Sequence, residues 1–195
     1  MAEAIIPTPI GQAVYPKLVK PDTKFNPDGV FSCKLIVSEE DYNAFKAKLQ
    51  PAIDAAYAQY STAQGKPKLK RATEPVRINE EGEHEINAKQ TARVTTKTGD
   101  VLEFSIALYD AELNVIKGEP NIGSGTKLRM SVQPYFWYVP SQGFGYTLRL
   151  KGVQILELVE FTSGGHGFSK ESGFTTGETF NEVIIEDEVA ETPDF

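Results

Sequence analysis

Apolar and polar positions alternate in pairs along most of this chain, and in one stretch the period lengthens to that of a helix. The segments AVYPKLVK (13–20) and GVFSCKLIV (29–37) read as two strands separated by the turn-rich KPDTKFNPDG. From Ser38 the spacing changes: Tyr42, Phe45, Leu49, Ile53, Ala56 and Tyr60 recur every three or four residues and predict one helix with an apolar face. Ser38 is its N-cap, Asp41 stands in a capping-box position, and Glu39, Glu40 and Asp41 complement the helix dipole. Pro51 removes an amide donor inside this pattern, which predicts a kink or break near Gln50.

A polar, basic loop, STAQGKPKLKRATEP (61–75), follows, and beyond it the period returns to two. HEINAKQTARVTT and VLEFSIALYD flank the turn KTGD as a hairpin, with Leu102, Phe104, Ile106 and Leu108 on the core face. The turn PNIGSG leads into a longer hairpin, TKLRMSVQPYFWYVP and YTLRLKGVQILELVEF, joined by SQGFG. Five or more strands with one early helix predict a mainly β protein, a small OB-type barrel (five-stranded, Greek-key), though a sandwich would show the same number of strands. After Phe161 the composition turns to Gly, Ser and Thr, too poor in large aliphatic residues for a core. The reading is a domain over 1–162 and a flexible, disordered acidic tail over 163–195.

Charge sharpens that division. Of the 27 acidic residues, eight lie at 171–195, and no base follows Lys170, which leaves 19 acids against 20 bases in the body. The formal net charge of -7 therefore belongs to the tail, and such a split fits a near-neutral body with a basic surface and an acidic arm. An acidic tail kept for solubility is the plainer explanation, but it leaves Phe195 without a purpose.

Within the long hairpin, Leu128, Met130 and Val132 face inward, as do Phe136 and Tyr138 if the phase survives Pro134. Lys127, Arg129, Tyr135 and Trp137 then face outward. On the partner strand Leu148 and Leu150 are inward and Arg149 and Lys151 outward, with a bulge at Gly152 returning Val153 and Ile155 to the core. Cations interleaved with flat rings suit single-stranded nucleic acid, because phosphates meet Lys and Arg while unpaired bases stack on the rings. The competing explanation is that Tyr135 and Trp137 cover a second apolar layer or a subunit interface, as in a structural or assembly β-protein; a homodimer is compatible with either. Lys66, Lys68, Lys70 and Arg71 in the loop, and Lys89, Arg93 and Lys97, expected on one strand face, add to a basic surface.

Enzyme motifs are absent. GSGTK precedes a strand and lacks the Gly-Lys-Ser/Thr order of a phosphate loop, so it reads as a turn. One cysteine, Cys33, in an apolar run and two histidines, His84 and His166, supply neither a nucleophile pair nor a zinc site, and Asp100, Glu103, Asp110 and Glu112 have no spacing that marks a Mg²⁺ site. No cofactor is expected. Neither a signal peptide nor a membrane span is visible, and a lone thiol is compatible with a reducing cytoplasm.

PNIGSGTKLRMSVQPYFWYVP followed by YTLRLKGVQILELVEF, the early helix and the terminal Asp194-Phe195 together resemble the single-stranded DNA-binding proteins of tailed bacteriophages, of the short-tailed podophage replication type. The resemblance implies a non-enzymatic OB fold that coats single-stranded DNA in phage replication and recombination, in the cytoplasm of an infected bacterial host. By position Tyr135 and Trp137 match the family's PY-x-W unit, Lys127 and Arg129 its basic strand, and Phe195 its terminal aromatic. It further implies an acidic tail that docks phage or host replication proteins, polymerase or helicase/primase, through Asp194 and Phe195. The tail here is less densely acidic than the family's and carries Val183, Ile184 and Ile185.

Overall fold

The computed structural model describes residues 4–160. The boundary expected at 162 and the acidic tail with Asp194 and Phe195 lie outside the described residues. The described strands are β1 (Ile6–Pro7), β2 (Gly11–Asp22), β3 (Val30–Val37), β4 (Val76–Ile78), β5 (His84–Thr91), β6 (Arg93–Thr95), β7 (Val101–Glu103), β8 (Ala107–Tyr109), β9 (Lys127–Val139) and β10 (Gly143–Glu157), with one helix, α1 (Glu39–Ala63), between β3 and β4.

Five of these close on themselves in the order β2-β3-β5-β10-β9 and back to β2. Every pairing in the ring is antiparallel except β5 with β10. A five-stranded closed ring with this order and one parallel seam is the OB barrel. β4 extends the sheet beside β5, β8 lies parallel along β10, and β1 pairs with β9. The barrel interior is filled by alternate residues of each strand: Cys33 and Leu35, Ile86 and Ala88, Leu128, Met130 and Val132, Leu148 and Leu150 are all at most 1% exposed. Truncating any of these leucines to alanine leaves a cavity that costs about 2–5 kcal/mol. The bulge expected at Gly152 is present as a register shift between Leu150 and Gly152, and Val153 and Ile155 return to the core beyond it.

Helix α1 lies against the barrel through Tyr42, Phe45, Leu49, Ile53 and Ala56, and the Ser38 hydroxyl accepts from the Asp41 amide at 3.2 Å while donating to its carboxylate at 2.8 Å. The break expected at Pro51 does not occur: the helix runs through it. Pro51 and Ala47, whose carbonyl loses its partner, both sit on the exposed face, where water satisfies the orphan acceptor. Among the described residues no helix is long and apolar enough to cross a membrane.

The hairpin expected around KTGD is shorter than its sequence suggests. Only β6 and β7 form it, as a separate two-stranded ribbon, while 84–91 belong to the barrel. Residues 101–110 are consequently two strands rather than one, with Leu102 and Phe104 at the surface and only Ile106 and Leu108 buried. Alternation sets which residues share a face, but a break at 104–106 lets the first half leave the sheet.

Candidate nucleic-acid interface

The outer face of the β9–β10 hairpin holds the candidate site. The inward phase of Leu128, Met130 and Val132 carries through Pro134, so Tyr135 projects outward and is 46% exposed. Thr147 is directly opposite Tyr135 and Arg149 one diagonal step away. The Arg149 guanidinium lies 3.6 Å from the Tyr135 ring centroid, close enough for a cation–π contact of about 0.5–1 kcal/mol. Trp137 lies opposite Gly145 and donates its indole N–H to Thr147 Oγ1 at 3.2 Å. A Cβ on Gly145 would meet the Trp137 ring at 2.5 Å, so the indole rests on a strand that only glycine keeps bare. Lys89 of β5, exposed, is the parallel-register partner of Arg149.

These side chains surround an open trough of about 450 Å³, lined by Lys89, Tyr135, Trp137, Thr147 and Arg149 with Val94 and Phe104 at one side. It offers two flat rings, one already stacked by a cation, and two outward positive charges with which no acid among the described residues forms an ion pair. Unpaired bases and their phosphates are the chemistry that such a surface accommodates.

The other residues singled out in the sequence do not all converge there. Lys127 forms a salt bridge with Glu157, its cross-strand partner, at 2.9 Å. Arg129 and Lys151 line a different depression beside Tyr109 and Gln154, where the bulge has turned the strand. Arg93 is on β6 rather than in line with Lys89 and is bound by Glu103 at 3.0 Å, and Lys97 sits in the turn; the shared strand face expected for the three is therefore split. In the basic loop Lys66, Lys68 and Lys70 are exposed, whereas Arg71 lies 4.7 Å from the Tyr57 ring and 3.7 Å from Glu74. The loop is anchored rather than free. Leu69 is buried with its amide donating to the Tyr57 hydroxyl at 2.8 Å, and Phe144 exchanges backbone hydrogen bonds with Lys70 and Ala72, also at 2.8 Å.

Several lining residues carry no chemical mark in the sequence. Asn26 reaches the trough from the turn before β3, and neighbouring Phe25 is 88% exposed with the Lys24 amine 5.3 Å from its ring. An aromatic beside a lysine inside a turn was the available sign. Val94 and Phe104 reach the rim only because the β6–β7 ribbon leaves the barrel.

Among the described residues, the groups with acid–base potential that the sequence singled out are engaged in the fold. Cys33 is sealed inside the barrel, and burial pushes its thiol up to about 12, so it is not a nucleophile. His84 packs against Tyr42 at 4.9 Å between ring centroids. Hydrogen bonds from Asn114 lower the Asp110 carboxyl, which closes its own turn. Among the described residues no three His, Cys, Asp or Glu side chains are grouped as metal ligands.

Comparison with known proteins bears on the fold and the family. No curated protein sequence matches the chain significantly. Among solved structures, gp2.5, a single-stranded DNA-binding protein encoded by bacteriophage T7, superposes with a TM-score of 0.72 at 22% identity, over 89% of this chain and 99% of that one. The single-stranded DNA-binding protein from bacteriophage Enc34 superposes at 0.56 with 15% identity, covering 82% and 85% of the two chains. Its complex with ssDNA superposes at 0.55 with 13% identity, covering 80% and 88%. At these identities the superpositions speak for the fold, the OB barrel. The family model of the bacteriophage T7 single-stranded DNA-binding protein matches residues 10–158, from the start of β2 to the end of β10, and the chain belongs to that family.

Proposed function

We propose that this protein binds single-stranded DNA in the trough between β5, β9 and β10 and acts without catalysis, coating unpaired strands in phage DNA replication and recombination. One observation carries the reading: Tyr135, stacked by Arg149, and Trp137, resting on Gly145, stand together with Lys89 around an open trough. Family membership supports it, as does the fold shared with an Enc34 protein whose structure includes ssDNA. Lys66, Lys68 and Lys70, held beside the hairpin turn by the Phe144 hydrogen bonds, extend the cationic surface for the phosphate chain.

The acidic segment 171–195 competes for the same trough. Its eight negative charges and lack of positive ones suit a low-affinity occupant that a polyanionic strand displaces, and the released Asp194-Phe195 then offers a carboxylate and ring to a basic, apolar pocket on a replication protein.

Trp137 is the only tryptophan beside eight tyrosines, so selectively excited tryptophan fluorescence reports on the trough alone. Titration with a single-stranded oligonucleotide quenches it, and a duplex of the same length does so weakly. Fluorescence indifferent to the single strand overturns the reading. Deleting 171–195 raises oligonucleotide affinity at low salt; equal or weaker binding removes the competition by the tail and leaves the trough in place.

A further inference from the structure

Beyond Trp137 the trough opens into a second, smaller recess of about 190 Å³, lined among others by Glu74, Arg77, Asn87, Lys89, Trp137 and Thr147. Lys89, Trp137 and Thr147 belong to both, so the two depressions meet at the indole. The recess is smaller than a drug-sized site and has room for one planar ring system rather than a run of them.

Its polar lining is unusual for a surface that binds phosphates. Glu74 puts a carboxylate there, 28% exposed at the side chain, with cations nearby but at long range: Arg71 at 3.7 Å and Lys46 at 3.8 Å. Among the described residues none donates a hydrogen bond to it, so the carboxylate, though ion-paired to both, keeps acceptor capacity for a ligand. The Asn87 side-chain amide likewise has no partner among the described residues, and its backbone N–H on the Pro75 carbonyl at 2.8 Å fixes it next to the residue that follows Glu74, so that both line the recess. Arg77 is bound to Glu85 at 3.2 Å, but that acid, 2% exposed, is shared with Lys34 at 3.4 Å, so the two cations keep one net positive charge.

An acid beside a phosphate track repels the backbone, a cost that is offset when it receives hydrogen bonds from a base edge. We propose that this recess receives one nucleobase of the bound strand beside Trp137, and that it selects guanine. Guanine presents two adjacent donors, N1–H and the N2 amino group, to an acceptor-only carboxylate, with its O6 beside them for the Asn87 amide. Adenine and cytosine offer one amino group next to a ring acceptor. Thymine offers one N–H between two carbonyls that an ionised carboxylate repels. The protein thus coats strands generally while preferring a register that places a guanine at this point. The inference rests on the trough being the single-strand site.

The test is competition for the full-length protein between a thymidine 15-mer, the same strand with one central dG, and the same strand with inosine, which keeps N1–H and lacks the N2 amino group. One dG tightens binding about fivefold or more, the discrimination of a bidentate base contact, and inosine recovers less than half of that gain. Glu74→Gln brings the dG-to-dT ratio to one, whatever it does to thymidine affinity itself, and Asn87→Ala lowers the ratio. If Glu74 only positions Arg71, both strands change together and the ratio stays; that outcome, or equal binding of dG and dT strands to the unaltered protein, overturns the guanine subsite while leaving the trough. Failure of every strand to bind overturns the trough and this inference with it.

Discussion

The two ends of one β-hairpin face share a sequence pattern and differ in what their charges meet. At the turn end, Arg149 stacks on Tyr135 at 3.6 Å and Lys89 stands beside it, and no acid among the described residues forms an ion pair with either. At the far end, Lys127 is bound to Glu157 at 2.9 Å, and Arg129 and Lys151 face another depression past the Gly152 bulge. Outward alternation alone makes both ends look cationic. The cross-strand partner decides which positive charge remains for a ligand, and a one-residue bulge decides which surface it faces.

The sharpest break of this comparison is the double substitution Tyr135→Ala with Arg149→Ala, which removes a stacking ring and its cation and weakens single-strand affinity roughly ten- to a hundredfold, measured by anisotropy. Next comes Trp137→Ala, which weakens binding about tenfold while the melting temperature holds, because the ring lies outside the barrel. A collapse of the fold instead would make Trp137 part of the core. Gly145→Ala acts on the same ring indirectly, pushing the indole off the strand, and shifts Trp137 fluorescence in the free protein before any DNA is added. Lys89→Ala lowers the log–log salt slope by about 0.7, the loss of one neutralised phosphate on a single strand. The smallest effect belongs to Lys127→Ala: affinity changes by less than about twofold, since its charge is already paired and exposed. A loss as large as that of Trp137→Ala would erase the distinction between the ends.

Much of the fold was legible because burial imposes a period. The helix face from Tyr42 to Ala56, the N-cap at Ser38, the inward set along the long hairpin and the bulge at Gly152 follow from side-chain alternation and spacing. Illegible were the features set by non-local neighbours. Nothing near Leu102 or Phe104 marks them as surface residues, because their exposure depends on the β6–β7 ribbon leaving the barrel. Arg93 reads as a free cation until Glu103 is placed across from it. The turn PNIGSGT, a feature on which the family resemblance leaned, is tied into the barrel at its end: Thr126 is wholly buried and exchanges hydrogen bonds with Val159 at 3.0 and 3.1 Å. Glu74 escaped notice because an acid in a basic loop looks like solvent decoration until Asn87 is brought beside it.

Ring closure through β9 bears on synthesis. The Ala13 amide donates its hydrogen bond to the Thr126 carbonyl, and among the described strands β5 finds its parallel neighbour in β10. Until the second half is made, β2 lacks β9 and β5 lacks β10, so the sheet centred on β3 is open at both sides and closes only through contacts distant in sequence, which slows folding. A prematurely terminated product ending before residue 143 lacks β10 altogether, and its open edges make it a target for chaperones or for clumping with its neighbours.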